Sequence, residues 1–208
     1  MRNILLTAAL CLMASLQAAG QNIQDDLFKA FAQKVSSSFT SVSYQYGSPI
    51  SGALLSGEGL LEIQGLCYHN ETSGLEVLCD GVSLWTADTQ SREMVIETAG
   101  ESASPLADPV LLLMDIEESF TVSSTRKTGD GLHEYHLLPI FSCGVKECVL
   151  FLSGSMSEPL PVKGRILNND GNVFEITFTS VSFSSELKPV SHFRPLNIGN
   201  DWVVTDLR

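Results

Sequence analysis

Positive charge is what this chain has least of. Lys and Arg number 12 against 24 Asp and Glu, a formal net charge of −12 at neutral pH. A phosphate-binding face needs clustered basic residues and none are clustered here, so nucleic acid is not expected as a partner. Acidity favours solubility and says little about fold. Long apolar runs are also scarce. The run ILLTAALCLMASL after Arg2 falls short of the roughly 20 residues that span a bilayer, and no other long run follows. With Gln17-Ala18-Ala19-Gly20 behind it, it has the basic, apolar and small-residue parts of a secretory signal peptide, so residues 1–20 are expected to be removed. Cys11 follows Leu10 and lies too early for lipid modification, so the mature chain 21–208 is expected to be exported without an anchor. About 188 residues suit one domain with a substantial core.

Signatures of chemistry are missing as well. There is no G-x-S-x-G elbow, no P-loop, no Gly-rich dinucleotide turn after a strand and no H-E-x-x-H. The carboxylates are scattered, without a pair placed for acid and base roles. His133 and His136 have a metal-like spacing, but residues i and i+3 of a strand face opposite ways, so the two imidazoles diverge. No catalytic residue, metal or cofactor is expected. Asn70-Glu71-Thr72 matches a glycosylation acceptor, with an ordinary loop tip as the plainer reading.

What is present reads mainly as strands. After a helix marked by Leu27, Phe28, Phe31 and Val35, with Asn22 or Asp25 to cap it, the apolar period drops to two beyond Ser36-Ser37-Ser38. Leu61 and Ile63 alternate with polar neighbours, as do Val162, Gly164 and Ile166, and then Phe174, Ile176 and Phe178. The phase slips between Phe178 and Val181-Ser182-Phe183, as a bulge requires. Asp80-Gly81, Asp130-Gly131 and Asp170-Gly171 read as tight turns, and Asp88-Thr89-Gln90-Ser91 as another. One segment breaks the rhythm. Asp108-Pro109 opens a helix whose first residues, Val110 to Met114, are all apolar, so it must be covered on nearly every side.

Four cysteines outlast the signal segment: Cys67, Cys79, Cys143 and Cys148. An even number in an exported chain favours disulfides. Thr72-Ser73-Gly74 as a three-residue hairpin loop sets Cys67 directly opposite Cys79, and Gly144 to Glu147 as a four-residue loop sets Cys143 opposite Cys148. Each bridge would add about 2–3 kcal/mol; four buried free thiols are the alternative. Trp85 fits either a core position or the wall of a ligand cavity.

Several short motifs, in order, resemble one family. Gly59-Leu60-Leu61-Glu62-Ile63, Gly74-Leu75-Glu76-Val77, Asp80 through Asp88 and Met94-Val95-Ile96 are similar to the early strands of LolA-like periplasmic carriers of outer-membrane lipoproteins. The Pro-initiated, Leu-rich stretch from Asp108 follows in the same place, then Phe120-Thr121-Val122, Tyr135 to Pro139 and a late strand ending near Phe193. The closing Val203 to Arg208 resembles the tails of Bacteroidetes-type members. The resemblance implies an α+β fold: a strongly bent antiparallel sheet, an unclosed half barrel, with an N-terminal helix and a lid helix over its concave apolar face. It implies a periplasmic monomer that binds a lipoprotein or another acylated ligand, taken from an inner-membrane transporter and passed to an outer-membrane acceptor. Leu61, Ile63, Trp85, Met94, Ile96, Leu111, Leu112 and Met114 are the residues expected to line cavity and lid. Burying methylenes at about 0.8 kcal/mol each, a chain of about sixteen carbons would contribute about 10 kcal/mol. The family's arginine on the strand after the first helix has no counterpart in Val42-Ser43-Tyr44-Gln45-Tyr46, so the same latch is not expected. Two other functions fit less of the sequence: a lipid-sensing or protein-interaction module on the same fold, and a hydrolase using the apolar pocket.

Overall fold

The computed structural model describes residues 27–50, 53–100, 113–114, 116–141, 144–196 and 198–208. The expected signal segment, the helix caps Asn22 and Asp25, and most of the expected lid, including Leu111 and Leu112, lie outside the described residues.

Helix α1, described over 27–37, turns Leu27, Phe28, Phe31, Ala32 and Val35 inward, the stripe that its apolar spacing prescribes. Its last carbonyls are met by the serines that follow: Ser37 donates to Gln33 O at 2.7 Å and Ser38 to Lys34 O at 2.6 Å. Eleven strands come next: β1 (Phe39–Ile50), β2 (Ala53–Gln64), β3 (Cys67–Thr72), β4 (Leu75–Asp80), β5 (Ser83–Asp88), β6 (Glu93–Thr98), β7 (Phe120–Lys127), β8 (His133–Pro139), β9 (Val145–Ser155), β10 (Glu158–Asn168) and β11 (Val173–Ser184). A single helical turn, α2 (Ile116–Ser119), precedes β7, and a 3-10 turn (Val190–Phe193) and strand β12 (Val203–Asp206) close the chain. All twelve strands form one curled, unclosed sheet in the order β12-β6-β5-β4-β3-β2-β1-β11-β10-β9-β8-β7. Every pairing is antiparallel except β12 on β6.

The β1–β11 pair joins the early strands to the late ones, and there the register skips Thr179, so Tyr44 faces Phe178 while Val42 faces Val181. This is the bulge that the phase slip prescribes, and it bends the sheet where curvature is needed. Asp-Gly turns sit where expected, with Gly81, Gly131 and Gly171 at φ of 85, 86 and 85°. The face covered by α1, here the inner face, carries Val42, Tyr44, Leu61, Ile63, Tyr135, Leu137, Leu150, Ile166, Phe174 and Ile176, all buried in one cluster with the helix. Phe28 lies 5.3 Å from the Tyr135 ring. Leu113 and Ile116 close part of the same face, each 1% exposed. Asn70 is no loop tip: it is buried on the inner face of β3, where Tyr44 donates to its Oδ1 at 2.7 Å, so no glycan can reach it.

The cysteine pairing is corrected by register. The hairpin loop has two residues, Ser73-Gly74, with Gly74 at φ 90°, so Thr72 faces Leu75 and Cys79 faces Tyr68. A one-residue shift sends side chains to opposite faces. Cys79 joins the inner core, Cys67 lies outside beside Asp80, and both are free thiols. Likewise Val145 to Glu147 are strand rather than loop, and Cys148 faces Leu137 and Ile166; Cys143 lies outside the described residues. The late strand expected near Phe193 is instead the 3-10 turn.

Two outcomes are expected. Peptide mapping after alkylation in denaturant, without reduction, should find Cys67 and Cys79 both modified; a peptide linking them would overturn the register. Phe31→Ala, at a site with 0% exposure, should lower the unfolding free energy in urea by about 3–5 kcal/mol.

Candidate functional site

Register from β2 to β6 is unbroken, so strict alternation assigns every side chain there to one face. Leu61 and Ile63 belong to the inner face, fully buried against α1. Met114 packs onto the same cluster. Trp85 faces Ile96 and Ala87 faces Met94, and these lie on the outer face with Leu78. The eight residues expected to line one cavity are therefore not one set. Trp85, Met94 and Ile96 do come together across the β5–β6 turn, but behind the sheet, against Trp202.

What covers that outer face is the C-terminal segment, which crosses β3 to β6 as a strap. Its contacts are largely polar. Gln64 donates to Lys188 O at 2.9 Å and accepts from Lys188 N at 2.7 Å. His192 reaches Glu62 at 2.7 Å, while Phe193 beside it is 0% exposed. Arg194 donates from Nε to Asp80 Oδ2 at 2.7 Å. Arg92 pairs with Asp201, β12 pairs with β6, and Arg208 donates to the Ser83 hydroxyl at 3.0 Å. Asp80 organises the middle of the strap and its own turn at once, because its Oδ1 accepts the backbone N–H groups of Val82 and Ser83 at 2.9 and 2.8 Å. Burial pushes its carboxyl up, but those two N–H groups and the Arg194 guanidinium outweigh burial and hold it below its ordinary value.

Between strap and sheet lies a cavity of about 220 Å³. Leu78 and Met94 form its floor, Leu196, Ile198 and Trp202 its cover, and His69, Glu76, His192 and Arg194 its polar end. His69 Nε2 stands 2.9 Å from Glu76, and its Nδ1 is 3.9 Å from Glu62. None of these polar residues was marked by sequence reasoning. His69 and Glu76 lie more than a hundred residues from His192 and Arg194, and such a separation carries no local signal.

A separate polar network sits on the outer face of β7 to β9. Glu134, 3% exposed, takes two hydrogen bonds from Arg126, and His136 bridges Glu134 and Glu147 at 2.8 and 2.6 Å. The Arg126 hydrogen bonds lower the Glu134 carboxyl, and the hydrogen bond to Glu147 raises the His136 imidazole. The mutual charge compensation marks a structural clamp joining three strands. His133 points to the inner face, so the two imidazoles diverge as alternation requires. Among the described residues no group of three or more His, Cys, Asp or Glu side chains is placed to hold a metal ion.

The architecture defines the class, an α+β chain built on a curled, unclosed sheet with an inner helix. No family model matches the sequence, and no curated protein matches it. Among solved structures, an uncharacterized conserved protein from Thermus thermophilus superposes with a TM-score of 0.53 at 12% identity, over 90% of this chain and 99% of that one. It shares the fold. A LolA superfamily protein from Nitrosomonas europaea has a TM-score of 0.48 at 11% identity, over 83% and 97%. A putative outer membrane lipoprotein-sorting protein domain from Vibrio parahaemolyticus has 0.46 at 11%, over 82% and 96%.

Arg194→Met tests the strap. Because the folded Asp80 value is depressed, its contribution is present above the unfolded carboxylate value of about 4 and is lost as pH falls through the lower folded value. With the guanidinium half exposed, the variant should lose about 1 kcal/mol at pH 7 and little at pH 2. Denaturant titrations at both pH values measure this; an equal loss at both would exclude the ion pair as the cause.

Proposed function

We propose that this chain is a non-catalytic periplasmic carrier that holds the acyl chains of lipoproteins, or of another acylated ligand, against the inner face of its sheet for transfer toward the outer membrane. The observation that carries the reading is the way the inner face is closed. The sheet does not close on itself; the apolar strip from Ile63 and Leu61 through Val42 to Ile176 and Ile166 is covered by α1 and by Leu113 and Ile116. A cover that belongs to separate elements can be exchanged for a ligand of like polarity, whereas a closed barrel would have to break strand pairing.

The energetics suit exchange. Four large apolar side chains on α1, Leu27, Phe28, Phe31 and Val35, hold the helix down at about 1.5–3 kcal/mol each. That is of the same order as the roughly 10 kcal/mol from one long acyl chain, so loading and release stay near balance. In this reading Leu61, Ile63, Leu111, Leu112 and Met114 contact the ligand, and Trp85, Met94 and Ile96 do not. The order of the sequence motifs supports the same reading, with an inner-membrane donor and an outer-membrane acceptor as partners.

Native mass spectrometry of the mature chain with a diacylated lipopeptide should give a 1:1 complex, and its deacylated counterpart none. Phe31→Ala, which loosens α1, should tighten binding several-fold. Equal behaviour of the two peptides, or weaker binding by the variant, would overturn the proposal.

A further inference from the structure

His133 is a polar group that the inner face leaves unpaired. Its Nδ1 is buried and has no hydrogen-bond partner. Burial first, and the Lys127 ammonium second, push its imidazole below the ordinary value, so the ring is neutral near pH 7 with one N–H to donate. A buried polar group without a partner carries its full desolvation penalty, which a bound group of matching polarity removes.

What surrounds the ring selects that group by charge. Lys127 lies directly across the β7–β8 ladder from His133, and so on the same face. Its neighbour Arg126 alternates to the outer face, where the two hydrogen bonds to Glu134 neutralise it. Lys127 has no such partner among the described residues. Glu134, Glu147 and Glu175, on β8, β9 and β11, all belong to the outer face, and Lys127 is the one charge that acts on the His133 ring. A cation would meet the ammonium, and bare hydrocarbon would leave both groups unpaired, whereas an anion is served by both. The chain's net charge of −12 opposes an approaching anion, but about 0.1 M salt largely screens that long-range field.

Position ties this pair to the acyl site. β7 is the last strand of the sheet, and Lys127 on it is exposed, so the pair lies at an open edge within reach of water. Tyr135, two residues on from His133 and on the same face, packs on Phe28 of α1 with ring centroids 5.3 Å apart. An acyl chain taking the place of α1 would bring its head to His133 and Lys127. We infer that the inner face takes acylated ligands with an anionic head, its carboxylate or phosphate seated between the Lys127 ammonium and the His133 ring. The inference rests on the carrier reading and narrows it to one chemistry of head group.

Four probes of one dodecyl length separate the possibilities: dodecanoate, dodecyl phosphate, 1-dodecanol and dodecylamine. Each is titrated below its micelle concentration into the mature chain in about 0.1 M salt, while the histidine ring resonances are followed. The two anions are expected to shift His133 and to bind at least about tenfold tighter than the alcohol or the amine, and the tighter of the two names the head as carboxylate or phosphate. Lys127→Met, at an exposed position, should bring both anions to the level of the alcohol and leave the alcohol unchanged. Equal binding of the four probes, tighter binding of the amine, or anion binding that leaves His133 unshifted would overturn the inference and leave the carrier reading intact. So would a chain that binds the diacylated lipopeptide but neither anion. Failure of the lipopeptide and of all four probes would overturn both.

Discussion

Alternation of side chains along an unbroken register is the constraint on which the rest of this structure depends. From β2 to β6 no residue is inserted or skipped, so the sheet has two faces that cannot exchange members. Both are apolar over much of their area, and each therefore needs its own cover. The inner face receives α1, whose stripe of four large side chains matches it. The outer face of β3 to β6 receives the C-terminal strap. An unclosed sheet with two apolar faces would otherwise expose both to water, and its edges would remain open as well.

The two covers are held by different physics. α1 is held by non-directional burial, with Phe31 and Val35 against Leu61 and its neighbours, so another apolar body of similar area can replace it at little net cost. The strap adds directional bonds at spaced points to the burial of Phe193 and Trp202: the paired amide of Gln64, His192 on Glu62, Arg194 on Asp80 and the β12 ladder. Directional anchors fix position without filling volume, which is why a cavity survives beneath Leu196 and Ile198 while the inner core closes tightly around α1.

Much of the architecture was legible in the chain. The α1 stripe, the Asp-Gly turns, the strands around Leu61, Ile166 and Ile176, and the bulge beyond Phe178 all follow from local periodicity and turn chemistry. The cysteine pairing failed on a single residue of loop length: Ser73-Gly74 closes the hairpin in two residues instead of three, and that moves Cys67 to the face opposite Cys79. The grouping of Trp85, Met94 and Ile96 with Leu61 and Ile63 failed for the same reason. Period two tells which residues of one strand share a face, but not which face of one strand joins which face of the next.

By itself the sequence determined the elements, their turns and the presence of apolar faces, because these depend on residues within a few positions of each other. Tertiary structure alone decided which face each strand contributes to, and that the tail from Lys188 to Arg208 lies over β3 to β6. The partners of Asp80, Glu62 and Gln64 in that tail are more than a hundred residues distant. Contacts at such separation leave no periodic trace in the chain, since they form only once β11 has paired with β1 and carried the tail to the early strands.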